Sequence, residues 1–442
     1  MIRAQKWGDQ AGQARGPAPA GLRTAMLALL AGVGLALASV ASGQEQAALS
    51  EQHSKCLACH SMPALSKALE DGGKLSLHVV KDDYAVSAHR MFGCTSCHAN
   101  VDPAAHPAMH RIASAQAYSI ERSQVCGNCH AAAFEQYQDS VHASLVTAGD
   151  PAAPVCSSCH DPHAVRPAAA EQVDSAMPCA SCHQEIFDAY EGSVHGQARV
   201  GAGQAHAPIC MDCHQAHNVS AVAGGDRLKA TCLECHDNAL AAHDQWLPNS
   251  RLHLDVVSCP ACHSPMADRA IELMLYDQGS QELVAEVLDD PQFEARARAI
   301  DVAGDGLDPL ELWTLVREIN REGGGAKFAL RGRMEVPSGP QAHRLAIKLE
   351  AVRDCETCHQ SGAEPFRKVT VSVAGSDGRR VKYEASENTL TSGSSVDSVG
   401  GFYTAGGTRI GLLDALLALA VIAGLGIPLV HLMVRRYFRK NR

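Results

Sequence analysis

All 18 cysteines of this 442-residue chain belong to nine copies of one motif, C-x-x-C-H. We number the motifs 1 to 9 in chain order: Cys56-Cys59-His60, Cys94-Cys97-His98, Cys126-Cys129-His130, Cys156-Cys159-His160, Cys179-Cys182-His183, Cys210-Cys213-His214, Cys232-Cys235-His236, Cys259-Cys262-His263 and Cys355-Cys358-His359. Two cysteines at this spacing lie one helical turn apart and can form thioethers with the vinyl groups of one porphyrin, while the adjacent imidazole reaches the iron. The motifs therefore predict nine covalently attached haem c groups, held by the cysteines, with the motif histidines as proximal iron ligands.

Two other uses of paired cysteines fit this pattern less well. Structural zinc sites use C-x-x-C pairs, but they do not need a histidine directly after the second cysteine of every pair. Disulfides form in oxidising compartments, yet no cysteine stands outside a motif. Aromatic residues make up only 4% of the chain, so flat haem macrocycles would supply apolar surface that side chains usually provide.

The first eight motifs come in pairs that repeat a longer pattern. Motifs 3 and 4 are separated by Tyr-x-x-Ser-Val-His and followed by a further histidine, and motifs 5 and 6 repeat this arrangement. A degenerate copy holds motifs 7 and 8, and Ser87-Ala88-His89 lies between motifs 1 and 2. We call these four pairs modules 1 to 4 in chain order and expect each to be a two-haem unit.

Fourteen of the 23 histidines lie outside the motifs, and several recur at fixed offsets. Three stand in Ser-x-His ahead of a motif and two stand three residues after a proximal histidine, namely His89, His142, His195, His163 and His217. We predict these as distal iron ligands, followed by His78, His106 and His253, and His343 as the candidate for the ninth haem. His53, His110, His206 and His243 are weaker candidates, and some of these are expected to be surface residues. A second histidine fills the remaining axial position of the iron, which favours electron transfer over substrate binding.

The Ser-x-His and C-x-x-C-H-x-x-H modules resemble those of bacterial periplasmic multihaem c-type cytochromes with doubled motifs. The segment from Leu77-His78 to His106-Pro107 is similar to the start of their membrane-anchored members. The resemblance covers about residues 55–263 and implies a mainly α, loop-rich fold packed around stacked haems. It also implies electron exchange with a quinol-oxidising membrane subunit, of cytochrome b or iron–sulfur type, and with periplasmic redox proteins. The ninth motif and the 96-residue spacing before it depart from that pattern.

The haem-poor segment predicts helices and small β-hairpins near the C-terminal haem. Residues 281–288 are expected to be helical, and Asp308-Pro309-Leu310-Glu311 is expected to cap a second helix that ends at Gly323 to Gly325. Alternating apolar residues predict one hairpin over residues 328–349 and another over residues 369–383. The acidic turn at residues 301–308 is one residue short of a calcium-binding EF-hand loop, so a capped turn is the simpler interpretation.

Both ends of the chain indicate export and membrane anchoring. A basic segment, the apolar stretch Ala25 to Ala38 and the small residues Ala41-Ser42-Gly43 predict a signal peptide cleaved before Gln44. Residues 410–434 are apolar enough for one transmembrane helix, and the basic tail that follows predicts a cytoplasmic C-terminus. The haem domain would then lie in the periplasm, attached to the inner membrane.

Charge bears on the partners of this external part. Signal and anchor together hold nine basic and two acidic residues, so 29 basic and 46 acidic residues remain outside, for a net charge near −17. Such a surface makes nucleic acid an unsuitable partner and favours a basic redox protein.

These observations predict seven segments and one leading function. The segments are a signal peptide (1–43), an octahaem domain (44–265), a haem-free insertion (266–354), the ninth haem site with a hairpin (355–391), a Gly/Ser linker (392–409), a transmembrane helix (410–434) and a basic tail (435–442). The leading hypothesis is a nine-haem electron-transfer protein without chemistry of its own, between a quinol-linked membrane partner and periplasmic acceptors. The alternative is a multihaem reductase of a small oxyanion such as nitrite, hydroxylamine or tetrathionate.

Overall fold

A computed structural model describes residues 49–106, 111–166, 178–219, 226–280, 282–286, 292–323, 327–360, 362–375, 380–390, 399–400 and 411–440. The predicted signal peptide and most of the predicted linker lie outside these residues. The described part confirms the expected fold class, which is mainly helical and loop-rich, with β-structure near the C-terminal motif and one apolar C-terminal helix.

Residues 49–264, which we call the motif region, consist of short helices joined by loops. The helices are α1 (Glu51–His60), α2 (Lys81–Val86), α3 (Cys94–Cys97), α4 (Ala115–Gly127), α5 (Ala131–Gln138), α6 (Val141–Thr147), α7 (Cys156–Cys159), α8 (Gln184–Glu191), α9 (Val194–Gly196), α10 (Cys210–His214), α11 (Asp226–Cys235), α12 (Ala239–Asp244), α13 (Ser250–Val256) and α14 (Cys259–His263). Two strands, β1 (Ser66–Ala68) and β2 (Lys74–Ser76), pair as an antiparallel ribbon. The motif cysteines lie on single helical turns or at helix ends, as the thioether geometry requires.

Residues 265–390, which we call the sheet region, are built around a five-stranded sheet with the strand order β6-β5-β3-β4-β7. Its elements are β3 (Ala270–Asp277), α15 (Phe293–Ile300), α16 (Pro309–Glu322), β4 (Phe328–Glu335), α17 (Gly339–His343), α18 (Glu356–His359), β5 (Val369–Ala374) and β6 (Arg380–Ala385), and β7 (Val399–Gly400) adds the edge. The central strand β3 pairs antiparallel with β4 and parallel with β5. The predicted insertion and the predicted ninth-site segment therefore contribute strands to one sheet.

The sheet region has a conventional hydrophobic core. Helices α15 and α16 pack on the sheet, and Leu273, Leu312 and Leu330 are fully buried between them. Burying a side chain of this kind stabilises a fold by roughly 1.5–3 kcal/mol. In the described motif region the only comparable cluster contains Tyr190 and Ile209.

The predicted second helix and the acidic turn before it form as expected. Asp308 caps α16 by accepting from the N–H groups of Leu310 and Glu311, both at 2.8 Å, and the Glu311 carboxylate in turn accepts from the Asp308 N–H at 2.9 Å. The buried carboxylate of Asp301 accepts from the backbone N–H groups of Gly304 and Gly306. Because backbone donors already engage this carboxylate, a capped turn explains the acidic cluster without calcium.

Two local predictions were wrong and one hairpin is confirmed. Residues 282–286 are not helical but form isolated bridges to Tyr276 and Ala374. The hairpin over residues 328–349 does not form, because β4 pairs with β3 from far upstream while residues 339–343 are helical. Strands β5 and β6 form the second predicted hairpin, with Val371 opposite Tyr383.

The C-terminal helix α19 (Gly411–Lys440) matches the predicted anchor in place and length. Its segment Ala415–Arg439 is 25 residues long, apolar enough to cross a membrane, and not buried against the rest of the protein. About 20 apolar residues suffice to span a bilayer.

Candidate functional site

Eight of the nine motif histidines face a second histidine, and this is the main feature of the molecule. The facing pairs have ring centroids 5.9–6.2 Å apart: His60–His106, His89–His130, His98–His163, His160–His217, His195–His236, His214–His343, His243–His263 and His253–His359. If each imidazole bound a metal at about 2.0 Å through one nitrogen, the two ring centroids would stand roughly 6 Å apart. The spacing therefore fits an iron held between two imidazoles.

The ninth motif histidine in this scheme is His183. Its positive form lies close enough to His142 to lower the pKa of that imidazole, although burial lowers it more. This proximity makes His142 the candidate partner of His183.

Hydrogen bonds to backbone carbonyls orient several of these rings. The Nδ1 atoms of His60, His243 and His343 lie 2.7 Å from the carbonyl oxygens of Leu77, Ala239 and Gly339. Those of His89 and His253 make longer contacts of 3.2 Å. A ring that donates through Nδ1 keeps Nε2 free as a ligand in a fixed tautomer, which is the usual arrangement at metal sites.

Burial also favours the neutral form of the imidazoles, which is the form that binds metal. Desolvation is the largest cause of the lowered pKa of His98, His142, His163, His195, His217 and His263. In five of these the facing histidine lowers the pKa further, because two positive rings at this distance repel.

Three other described histidines have different surroundings, namely His53, His78 and His206. His53 is buried, and both ring nitrogens are engaged, Nδ1 with Ser50 and Nε2 with the Phe92 carbonyl, so its role is structural. His78 is not one of the facing histidines, and its backbone N–H donates to Ser76. His206 is exposed, and His110 lies outside the described residues.

The facing pairs connect neighbouring modules in a regular stagger. The Ser-x-His histidine of one module faces the first motif of the next: His89 faces motif 3, His195 motif 7, and His253, from the degenerate copy, motif 9. His142 fits the same order, because it lies near His183 of motif 5. The histidines that follow modules 2, 3 and 4 face the second motif of modules 1, 2 and 3, respectively: His163 faces motif 2, His217 motif 4 and His343 motif 6. Only His106 and His243 face a motif of their own module.

Backbone hydrogen bonds repeat with the same stagger. In each case the donor is the backbone N–H of the residue directly before a Ser-x-His histidine. The acceptor is a backbone carbonyl near the histidine that follows the next module, two residues after that histidine. The three pairs are Ala88 to Val165 at 2.7 Å, Val141 to Val219 at 2.9 Å and Val194 to Leu345 at 2.8 Å. His343 therefore occupies the place that His163 and His217 occupy in earlier copies, although a long insertion separates it from its module.

The stagger corrects one expectation and adds one residue. His343, the sequence candidate for motif 9, lies against His214 of motif 6, and His253 lies against His359 instead. His243, ranked weak from sequence, faces His263. Nothing in the offsets singled it out, because it occurs only in the degenerate module.

Tyrosine and serine side chains position the histidine segments in three modules. Tyr84, Tyr137 and Tyr190 each stand three residues before the serine and donate to the carbonyl two residues before the next motif, at 3.0, 2.8 and 2.7 Å. The serines are buried, and Ser140 and Ser193 cap the helices that carry His142 and His195. The sequence pattern showed this tyrosine in two copies only, and the structure adds Tyr84.

Consecutive motifs are neighbours from one end of the chain to the other. Within each module the first cysteines are hydrogen-bonded to each other, in the pairs Cys56–Cys94, Cys126–Cys156, Cys179–Cys210 and Cys232–Cys259. Between modules, the second cysteine of each even-numbered motif lies close to a cysteine of the following motif. In each pair the charge of one thiolate raises the pKa of the other thiol. The pairs are Cys97–Cys126, Cys159–Cys179, Cys213–Cys235 and Cys262–Cys358. Each motif thus lies close to the motif that follows it in the sequence.

Comparison with known proteins bears on part of this series of motifs. The family model described as "Cytochrome c554 and c-prime" matches residues 178–264, which hold motifs 5 to 8. No curated protein and no solved structure matches the chain. Over modules 3 and 4 the chain is therefore similar to a family of c-type cytochromes, and this match supports a multihaem cytochrome c with covalent haem and a role in electron transfer.

Proposed function

We propose that this protein is a nine-haem c-type cytochrome that conducts electrons between a quinol-oxidising membrane partner and periplasmic redox proteins. The observation that carries the proposal is a facing histidine for eight of the nine motif histidines, with His142 close to the remaining one, His183. Haem c, when bound, supplies at each site an iron that accepts and releases one electron.

At each site the cysteines would hold the porphyrin, and the motif histidine and its partner histidine would bind the iron. A reductase needs an iron position that is open or exchangeable. Eight facing histidines, with His142 as the candidate for the remaining site, would occupy that position. This arrangement favours conduction over the reduction of a small oxyanion.

We call the proposed haem sites of motifs 1 to 9 sites 1 to 9. Because successive motifs lie next to each other, these sites can form a single electron-transfer path. Every step along the path joins cysteines of adjacent motifs. Cysteines mark the edge of the porphyrin, so neighbouring cysteines favour short distances between porphyrin edges.

The connection between the sheet and the C-terminal helix α19 supports an orientation of the path relative to the membrane. Strand β7 is paired with β4, and β4 is joined to motif 8 by the hydrogen bond from the Ser258 N–H to the Met334 carbonyl at 3.0 Å. Ten residues separate β7 from α19, and ten residues reach at most about 36 Å. Sites 8 and 9 would therefore lie on the membrane side, and site 1 would exchange electrons with periplasmic partners. A net charge near −17 on the external part favours basic partners there.

Substitution of His243 tests the ligand assignment against His78, which serves as the matched control. His243→Ala should leave nine haems attached but open one axial position at site 8. We expect a high-spin ferric signal from about one haem in nine and CO binding to the same fraction of the reduced protein, whereas His78→Ala should resemble the wild type. Intact-mass analysis of each variant counts the attached haems.

The wild-type protein separates conduction from the reductase alternative. We expect only low-spin haems and little CO binding. A high-spin signal equivalent to one haem, together with turnover of nitrite or hydroxylamine, would refute conduction as the function. A loss of low-spin signal in His78→Ala but not in His243→Ala would refute the assignment at site 8.

A further inference from the structure

Arg269 is a buried arginine attached to the backbone of motif 8. Its side chain is 7% exposed. Nε donates to the carbonyl of Ala261 at 2.6 Å, and Nη2 donates to those of Pro265 at 3.2 Å and Ser264 at 3.5 Å. Because Ala261 lies between the two cysteines of motif 8, the guanidinium is held directly beside site 8.

The positive charge of Arg269 is not neutralised by a carboxylate within the described residues. All three acceptors are neutral carbonyl groups. Arg333, which is equally buried and close to the same motif, differs in that its Nε lies 2.9 Å from Oε1 of Glu335. Since arginine keeps its proton in proteins, Arg269 brings a full positive charge into the interior.

This charge lies near two sites. The Val352 N–H, three residues before motif 9, donates to the carbonyl of Cys262 in motif 8 at 2.9 Å, and Arg269 is close enough to Cys262 and to Cys358 of motif 9 to act electrostatically on both. Strand β3 begins at the next residue, Ala270, and the Ile271 N–H donates to the Lys368 carbonyl. The guanidinium therefore lies at the junction of motif 8, motif 9 and the sheet.

We propose that Arg269 is a positioning residue that raises the reduction potentials of the haems at sites 8 and 9, by holding one uncompensated positive charge between them. The inference rests on the proposed function, because it requires haem at both sites. Reduction adds negative charge to a haem, and a nearby cation stabilises that charge, more strongly in a buried environment than in water. Electrons would then reside preferentially on the haems at sites 8 and 9, at the end of the path next to the sheet.

Three variants of the full-length holoprotein test the role of this charge by potentiometric titration. Arg269→Gln keeps two N–H donors for the carbonyls but removes the charge. Arg269→Lys keeps the charge with fewer hydrogen bonds, and Arg298→Gln removes an exposed cation from α15 as a control. At a fixed potential we expect the oxidised-to-reduced ratio of two haems in the Gln variant to rise about tenfold, equivalent to 59 mV.

The Lys and control variants should titrate like the wild type. A purely structural role for Arg269 predicts instead that the Gln and Lys variants lose stability together without a change in potential. Superimposable titrations of the wild type and the Gln variant, or an equal shift in the Lys variant, would overturn the proposal.

The Lys variant also provides a test if the Gln variant does not mature. A buried lysine can lose its proton at alkaline pH, whereas arginine keeps it. Relative to the wild type at the same pH, two haems of the Lys variant should shift to lower potential as the pH rises from about 7 to about 10. Asp354 and Glu364, the carboxylates near Cys358, are common to both proteins. The absence of any such difference would overturn the role of Arg269.

Mass analysis separates this inference from the proposed function. Haem missing from sites 8 or 9 of the wild type would refute both proposals. Haem present at both sites with no effect of the charge would refute only the role of Arg269.

Discussion

The motif region and the sheet region are stabilised in different ways, although they belong to one chain. The sheet region buries Leu273, Leu312 and Leu330 completely between sheet and helices, as an ordinary domain does. The described motif region buries few large apolar side chains and instead arranges histidine pairs around eight C-x-x-C-H motifs. A polypeptide without its own core cannot offset the entropy of ordering its chain, so we infer that the motif region folds only around haem.

The largest expected effect is therefore the loss of the motif region when haem is not attached. A full chain produced without haem attachment should keep the sheet region folded and leave the motif region open. Hydrogen exchange measured by mass spectrometry should show slow exchange in β3 and β4 but fast exchange in α4 and α8, while all four elements should exchange slowly in the holoprotein. Slow exchange in α4 and α8 of the haem-free chain would contradict the comparison.

A cavity in the core of the sheet should lower the stability of the sheet region alone. Leu273→Ala should destabilise the sheet region by about 2–5 kcal/mol, because the side chain is fully buried, while nine haems remain attached. The free energy of local unfolding from hydrogen exchange measures the change, and Val302→Ala, at an 89% exposed position, serves as the control. A comparable cost in the control would show that burial does not explain the effect.

His343 links the two regions, and its removal should change one site in nine. It lies on α17 in the sheet region but faces His214 of motif 6. His343→Ala should give a high-spin signal from about one haem, without loss of the sheet, and the exposed His206 provides a matched histidine-to-alanine control. An unchanged spectrum would assign the sixth distal position to another residue.

The smallest expected effect is a pH dependence confined to the sheet region. Burial alone would raise the pKa of Glu272, but Arg380, Lys382 and the Ser372 hydroxyl together hold it below its ordinary value. A folded-state pKa below the unfolded value means that the stabilisation is complete above about pH 4.5 and is lost as the pH falls through the folded-state pKa. Glu272→Gln should flatten this acid dependence of sheet unfolding, and an unchanged slope would contradict the assignment.

Much of this molecule could be predicted because short patterns repeat along the sequence. Contacts between distant segments could not be predicted in this way. The motif spacing predicted nine haem sites, and offsets repeated in register singled out His89, His142 and His195, of which the structure places His89 and His195 opposite a motif histidine. His243 was ranked weak because it is a local exception, and its partner His263 becomes apparent only in three dimensions.

The sheet shows the same limit for a different reason. Strand β3 is buried on both faces, so it lacks the polar–apolar alternation that marks a surface strand. Its partner β4 lies more than 50 residues away, and local alternation carries no information about which strand pairs with it.

The staggered pairing also constrains how such a chain can be lengthened. A module in the middle supplies one histidine forward and one backward and takes one from each neighbour, so inserting another copy leaves every ligand count balanced. Insertion of a single motif would leave an iron with one imidazole. The array can therefore grow in steps of two, and only its ends need special arrangements, which His106 and His243 provide.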